Sequence, residues 1–152
     1  IDDLITMARF DADPSKDGWE TLDLLDLARE EVRPSTDCTV YGVSAFVEGD
    51  RRMLQHLLRN LVDNAQLHGR APIEVYVRAE AEGALLSVRD GGSGIPEGEQ
   101  SKVIEPFFRG QGKQNDTGYG LGLSLVARIA KAHNATISIR SEPYSEVAVQ
   151  FA

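Results

Sequence analysis

Met53-Leu54-Gln55-His56-Leu57-Leu58-Arg59-Asn60-Leu61-Val62-Asp63-Asn64-Ala65-Gln66-Leu67-His68 is the stretch that decides the architecture. At about 100° per residue, Leu54, Leu57, Leu58, Leu61, Val62 and Ala65 form one broad apolar arc, while Arg52, Arg59, Asp63 and Gln66 gather opposite. The spacing predicts a long helix from Asp50, a suitable N-cap, to about His68, with Gly69 as its stop. Asn64 breaks the pattern. It falls between Met53 and Leu57, inside the apolar arc, and Asn60 lies one turn earlier at the arc's edge. A buried carboxamide without a partner costs of order 1–3 kcal/mol, so something must satisfy it. For a lone Asn a backbone group or a buried water would serve. Two Asn at i and i+4 facing one pocket can instead present carbonyl oxygens to a hard cation such as Mg²⁺. His56 and His68 continue the row and are expected at the edge of a cleft.

Outward from this helix the pattern alternates between elements. Leu22 to Val32 has helical periodicity closed by Pro34. Thr39 to Tyr41 and Ala45 to Val47 are expected as short strands around a Gly-Val-Ser turn. Ile73 to Ala79 and Ala84 to Asp90 alternate as strands, with Glu82-Gly83 between them. Glu97 to Ile104 fits one or two helical turns, and the polar stretch 110–118 fits a mobile loop. Leu121 to His133 is expected as a helix, followed by a closing hairpin of Ala135–Ser141 and Val147–Phe151. Helices interleaved with mostly antiparallel strands imply a two-layer α/β sandwich.

Two glycine clusters carry further chemistry. In Leu86-Ser87-Val88-Arg89-Asp90 the residues Leu86, Val88 and Asp90 share one face of a strand, which aligns a carboxylate with two apolar side chains. Adenine offers such an acceptor its N6 amine, whereas guanine offers O6 and would be repelled. Gly92 and Gly94, in Asp90-Gly91-Gly92-Ser93-Gly94-Ile95, let backbone approach a flat ring. An ordinary Asp-Gly turn would have the same sequence. Gly118, Gly120 and Gly122 precede a helix, where bare N–H groups bind phosphate oxygens. No Gly-Lys-Ser/Thr follows, so this is not a P-loop. Neither is it a dinucleotide fingerprint, since it follows a polar loop rather than a strand. The His-Arg-Asp and Asp-Phe-Gly elements of eukaryotic-type kinases are missing. Phe107 and Phe108 are expected as core anchors at one edge of the glycine-bearing loop, the layout of a lid.

The bulk properties bound the partners. The 152 residues suffice for one domain with a core, and the net charge of −8 argues against a nucleic-acid surface. Cys38 is the single cysteine, so no internal disulfide can form, which fits a reducing compartment. No run approaches the ~20 apolar residues of a membrane span. With Ile rather than Met at position 1, the chain is expected to be a piece of a longer parent.

The ordered set of motifs resembles the catalytic, ATP-binding domain of bacterial two-component sensor histidine kinases, within the GHKL superfamily. The similarity covers about 19–152. The motifs match the family's N box (Asn60 to Ala65), G1 box (Asp90 to Ile95), F box (Glu105 to Arg109) and G2 box (Gly118 to Ser124). Residues 1–10 resemble the end of the preceding dimerisation hairpin, with 11–18 as linker. The resemblance implies a Bergerat-type fold, a mixed sheet with helices on one face and a mobile ATP lid. It implies Mg²⁺ on Asn64 supported by Asn60, these two forming the catalytic pair, and adenine read by Asp90. The ATP-binding set it implies further comprises His68, Gly92, Gly94, Ile95, Phe107, Arg109, Gly118, Tyr119, Gly120, Leu121, Gly122 and Leu123. Two departures stand out. Leu67 and His68 occupy positions where the family often has a basic residue and then an aromatic, leaving Arg70, Arg109 or Lys113 to contact phosphates. Asn134 stands where Gly often opens the closing hairpin, and Asn tolerates the left-handed conformation.

The expected function is therefore transfer of the γ-phosphoryl group of Mg-ATP to a histidine on another domain, in a two-component phosphorelay. None of His56, His68 and His133 is followed by the acidic residue usual after the family's acceptor histidine. The expected partners are the parent's dimerisation and phosphoacceptor domain and, indirectly, a response regulator, with the fragment monomeric and on the cytoplasmic side of a membrane-anchored parent. One rival is an ATP-driven machine like gyrase B, MutL or the ninety-kilodalton chaperones. These carry a water-activating Glu four residues before the metal-binding Asn, where Asn60 stands here, and an amide is no general base. The others are an anti-sigma serine kinase and a nucleotide-binding module without catalysis.

Overall fold

The computed structural model describes residues 16, 18–32, 37–81, 83–92, 94, 98, 122–141 and 144–152. Their elements run β1 (Glu20–Asp23), α1 (Leu24–Glu31), β2 (Cys38–Gly42), β3 (Phe46–Gly49), α2 (Arg51–His68), β4 (Ile73–Glu80), β5 (Gly83–Asp90), α3 (Gly122–Ala132), β6 (Ala135–Arg140) and β7 (Ser145–Phe151). Five strands form a mixed sheet in the order β2-β4-β5-β7-β6, and β1 pairs with β3 in a separate two-stranded sheet. Only β2 and β4 run parallel; β4-β5, β5-β7 and β7-β6 are antiparallel.

The strand alternation puts one row of the large sheet in the core. Val75, Val77, Leu86, Val88 and Val149 are fully or almost fully buried. The apolar stripes of α1, α2 and α3 pack on that face, as the two-layer expectation requires. Leu54, Leu57, Leu58, Leu61, Val62 and Ala65 are all buried, so the whole expected arc of α2 is turned into the core, against the sheet and the neighbouring helices. Asp50 caps this helix, its carboxylate accepting the Met53 amide N–H at 3.0 Å, and Gly69 ends it. Asn134 opens the closing hairpin at φ 55°, in the left-handed region.

Two expectations need correction. The helix expected from Leu22 begins at Leu24, because Glu20–Asp23 is drawn out as a strand against Phe46–Gly49, with Leu22 opposite Val47. Asp23 is the N-cap, accepting the amides of Leu25 (3.0 Å) and, across the chain, Ala45 (3.1 Å). Tertiary pairing outranks the helical spacing here, since Leu22 is buried as a strand residue at 2% exposure. The strands flanking Gly42-Val43-Ser44 do not pair with each other either. β2 joins the large sheet and β3 the small one, so this stretch crosses between sheets. The expected hairpin end, the linker apart from 16 and 18, the turn at 97–104 apart from 98, and the F box and lid lie outside the described residues.

Candidate functional site

A partly open cleft of about 400 Å³, its mouth included, lies between the C-terminal half of α2 and the ends of β5, β6 and β7. Leu61, Asn64, Ala65 and His68 form the helical wall; Val88, Asp90, Ile139, Ser145 and Val147 form the strand wall, and Gly94 lies at the edge. The cleft thus brings apolar side chains together with several convergent polar groups, a construction that suits a small polar ligand.

Asn64 is 9% exposed, and its Oδ1 is buried without a hydrogen-bond partner among the described residues. The Nδ2 of Asn60, one turn earlier, is in the same condition. Such orphaned groups are rare in folded proteins because each forfeits a hydration shell. An orphaned oxygen on a residue of the cleft wall suits a hard cation, so Asn64 fits Mg²⁺, whereas the orphaned Asn60 Nδ2 is a donor and suits a ligand oxygen.

Asp90 is held on both carboxylate oxygens. Its Oδ1 accepts the Gly92 amide at 2.7 Å and the Arg70 amide at 3.3 Å, and its Oδ2 accepts the Ser145 hydroxyl at 3.0 Å. Asp90 and Ser145 are opposite each other on the last rung of the β5-β7 ladder. Gly69 lies directly against the carboxyl. A Cβ there would overlap the Asp90 Cγ and stand 2.6 Å from the Ala65 carbonyl oxygen. Gly94 has φ +79°, a conformation that only glycine adopts without strain, and its Cα hydrogens face Ser141. The carboxylate is thus aimed before any ligand arrives.

Of the expected site residues, the fold brings Asn64, His68, Asp90 and Gly94 to the cleft wall. Gly92 contributes its amide to Asp90, and Asn60 sits one turn behind Asn64. His56 is not on the cleft wall. Leu123 is fully buried, so its side chain belongs to the core. Gly122 begins α3, while Ile95, Phe107, Arg109, Gly118, Tyr119, Gly120 and Leu121 lie outside the described residues.

Sequence reasoning missed Ser145 and Gly69, both in contact with the Asp90 carboxyl or its space. Ser145 gives no local signal, because its role depends on a partner 55 positions away. It also missed His133. This ring is buried and stacked on Trp19 at 4.6 Å, and it joins two helices. Its Nε2 accepts the Asp50 amide N–H at the start of α2 (3.2 Å), which puts the proton on Nδ1, donating to the Ile129 carbonyl in α3 (2.7 Å). Burial pushes its pKa below the usual histidine value, consistent with a neutral ring in that double role.

Comparison with known proteins matches residues 49–152 to the family of histidine kinase-, DNA gyrase B- and HSP90-like ATPases. The probable sensor histidine kinase TcrY of Mycobacterium tuberculosis is 33% identical over 99% of this chain and 34% of its own length. The alginate biosynthesis sensor protein KinB of Pseudomonas aeruginosa is 29% identical over 94% of this chain and 26% of its own. The chain thus spans about a quarter to a third of these curated relatives. Among solved structures, the ATP binding domain of PrrB from Mycobacterium tuberculosis superposes with a TM-score of 0.72 at 25% identity, covering 89% of this chain and 97% of that one. The Acinetobacter baumannii histidine kinase AdeS shares the fold with a TM-score of 0.78 at 21% identity, over 99% of this chain and 75% of that one. The chain belongs to the histidine kinase-, DNA gyrase B- and HSP90-like ATPase family.

Proposed function

We propose that this chain is the catalytic domain of a sensor histidine kinase, binding Mg-ATP in the α2–β5–β7 cleft and delivering its γ-phosphoryl group to a histidine of a dimerisation domain. The observation that carries the reading is the buried, unpartnered Asn64 carbonyl oxygen on the wall of the cleft that also holds the fixed Asp90 carboxylate. The family match and the sensor kinases among its relatives support it.

In this reading Asp90, already held by Gly92, Arg70 and Ser145, accepts the adenine N6 amine with little reorganisation on binding. Val88, Ile139 and Val147 enclose the flat base. Asn64 would hold Mg²⁺, supported by Asn60, and the ion would supply charge neutralisation on the polyphosphate. His68 stands at the cleft edge on the same side of α2. The glycines of 118–122 would cradle phosphate oxygens through bare amides, Phe107 and Phe108 would anchor the lid, and Arg109 is among the basic residues left to contact phosphates. The γ-phosphorus–oxygen bond to ADP breaks as a bond to the acceptor imidazole nitrogen forms, so the domain's work is positioning and screening of charge. The amide of Asn60 cannot deprotonate water, which keeps hydrolysis slow.

The partners in this reading are the parent's dimerisation hairpin and, downstream, a response regulator, on the cytoplasmic side of a membrane-anchored parent. Among the described residues, no helix is long and apolar enough to cross a membrane. The test mixes the chain and labelled ATP with a dimerisation hairpin made separately from the same parent. The expected product is a hairpin phosphorylated in an acid-labile, base-stable form, with little ATP turnover by the chain alone. Brisk hydrolysis would favour an ATP-driven machine, an acid-stable product a serine kinase, and binding without transfer a module that has lost catalysis.

A further inference from the structure

We infer that Arg89, on the sheet face turned away from the cleft, is a positioning residue that braces the Asp90–Ser145 rung and so sets the selectivity for the base. The inference rests on the reading of Asp90 given above.

Asp90 is the last residue of β5 and Ser145 the first of β7, so their rung closes the ladder with no further rung beyond it. Terminal rungs fray unless something else holds them. The preceding rung is Arg89 opposite Glu146. Here the Arg89 Nε donates to the Glu146 carboxylate at 2.7 Å, with the two side chains 29% and 11% exposed. The guanidinium also lies between two rings, 4.4 Å from the centroid of Tyr76 and 4.3 Å from that of Tyr144. Tyr76 in turn stacks on Tyr41 at 5.2 Å, so the row runs across β2, β4 and β5 to the start of β7.

The placement is specific to the base-reading pair. Arg89 immediately precedes Asp90, and both neighbours of Ser145, Tyr144 and Glu146, contact Arg89. Successive strand residues point to opposite faces, so Arg89 cannot touch a base lying on the helix-covered side. Arg89 is not on the cleft wall, so it acts on the cleft through the backbone of β5 and β7 and through its partner Glu146, which also lines the cleft. A cation held by a carboxylate and two aromatic faces is a stiff brace compared with an exposed ion pair, which contributes little. With that brace, the Ser145 hydroxyl stays within reach of Asp90 Oδ2, and Asp90 Oδ1 stays on the Gly92 and Arg70 amides.

The experiment compares wild type with Arg89→Met, Arg89→Lys and Glu146→Gln, using two readouts. The first is amide hydrogen exchange at Gly92 and Arg70 in the nucleotide-free protein. Faster exchange at these two positions in Arg89→Met, with α2 unchanged, is the expected result. The second is competition of ATP and GTP against a fluorescent adenine analogue in the presence of Mg²⁺. The ATP-over-GTP ratio should fall by roughly three- to tenfold in Arg89→Met, with the Mg²⁺ dependence retained. Arg89→Lys should fall between, since lysine restores the ion pair but not the planar stack. Glu146→Gln covers the case in which Arg89→Met fails to fold, and should show the same faster exchange. A lowered melting temperature with unchanged exchange and unchanged base preference would reduce Arg89 to a structural residue and overturn the inference. Should wild type itself show no preference for ATP, the Asp90 reading fails. The exchange data still judge the brace, and unchanged protection of the two amides would overturn it.

Discussion

Replacing Asn64 with leucine should move stability and ligand binding in opposite directions. The side chain is 9% exposed, sits among Leu61, Ala65 and Val88, and keeps a buried Oδ1 with no hydrogen bond among the described residues. An unsatisfied buried polar atom costs about 1–3 kcal/mol, and a leucine of similar branching removes that cost while burying apolar surface against the cleft wall. Asn64→Leu should therefore stabilise the nucleotide-free domain by about 1–3 kcal/mol. At ~2–4 °C per kcal/mol for a domain of this size, the melting temperature should rise by roughly 2–12 °C. Mg²⁺-dependent ATP binding should be lost in the same protein, because the hard oxygen ligand has gone. Asn64→Ala should lose binding equally while gaining less stability, since it trades the polar cost for a cavity. Calorimetric melting without nucleotide and titration with Mg-ATP read the two effects separately. An unchanged or lower melting temperature for Asn64→Leu would show that the carbonyl is not a source of strain. Undiminished affinity in the folded variant would remove Asn64 from the metal site.

Further expectations follow from other residues. Asp90 as acceptor for the adenine amine predicts ATP over GTP by more than ~1.5 kcal/mol, roughly tenfold in Kd; equal competition by the two nucleotides would refute that role. Gly69→Ala forces the Asp90 carboxyl aside and should weaken ATP binding by roughly tenfold or more, measured by the same titration, and unchanged affinity would show that the carboxyl has room to yield. His133 has its pKa lowered by burial, with Asp50 and Lys16 as the charged groups that act on it, so the unfolded state takes up its proton more readily than the folded one. Its contribution to stability is thus complete above its usual value of 6.5 and declines as pH falls below that value. Urea unfolding from about pH 7 to about pH 5 should show that decline, diminished in His133→Gln, with Trp19 fluorescence as a local probe.

The parts of the fold that were legible in the sequence are those in which local pattern and tertiary environment demand the same thing. Helix α2 carries its cap, its stripe and its stop within twenty residues, and all of its expected stripe is buried. The hairpins β4-β5 and β6-β7 are likewise set by alternation and a short connection. Leu22 shows the limit. Its spacing from Leu25 suits a helix, but its burial is met by pairing with a strand that begins more than twenty residues later. Nothing local distinguishes the two outcomes, because both bury the same side chain. The crossing from β2 to β3 was hidden for the same reason: two short strands around a glycine look alike whether or not they pair.

The site divides along the same line, and the division has a physical cause. Asn64 was legible because it violates the rule its own helix obeys: a carboxamide in an apolar arc costs free energy unless a ligand repays it. Asp90 was legible at the end of an apolar strand for a related reason. Ser145, Gly69 and Arg89 violate nothing. A serine at the start of a strand, a glycine after a helix and an arginine on an open sheet face each satisfy local expectation. Their importance comes only from what the chain brings beside them: a carboxyl oxygen, the space that carboxyl occupies, and two rings with a second carboxylate. Groups that touch a ligand must depart from what folding alone prefers, whereas groups that hold them need not. A single sequence therefore exposes the first set and conceals the second, and in the proposed reading it is among the concealed residues that substitutions would tune the base preference while leaving the motifs intact.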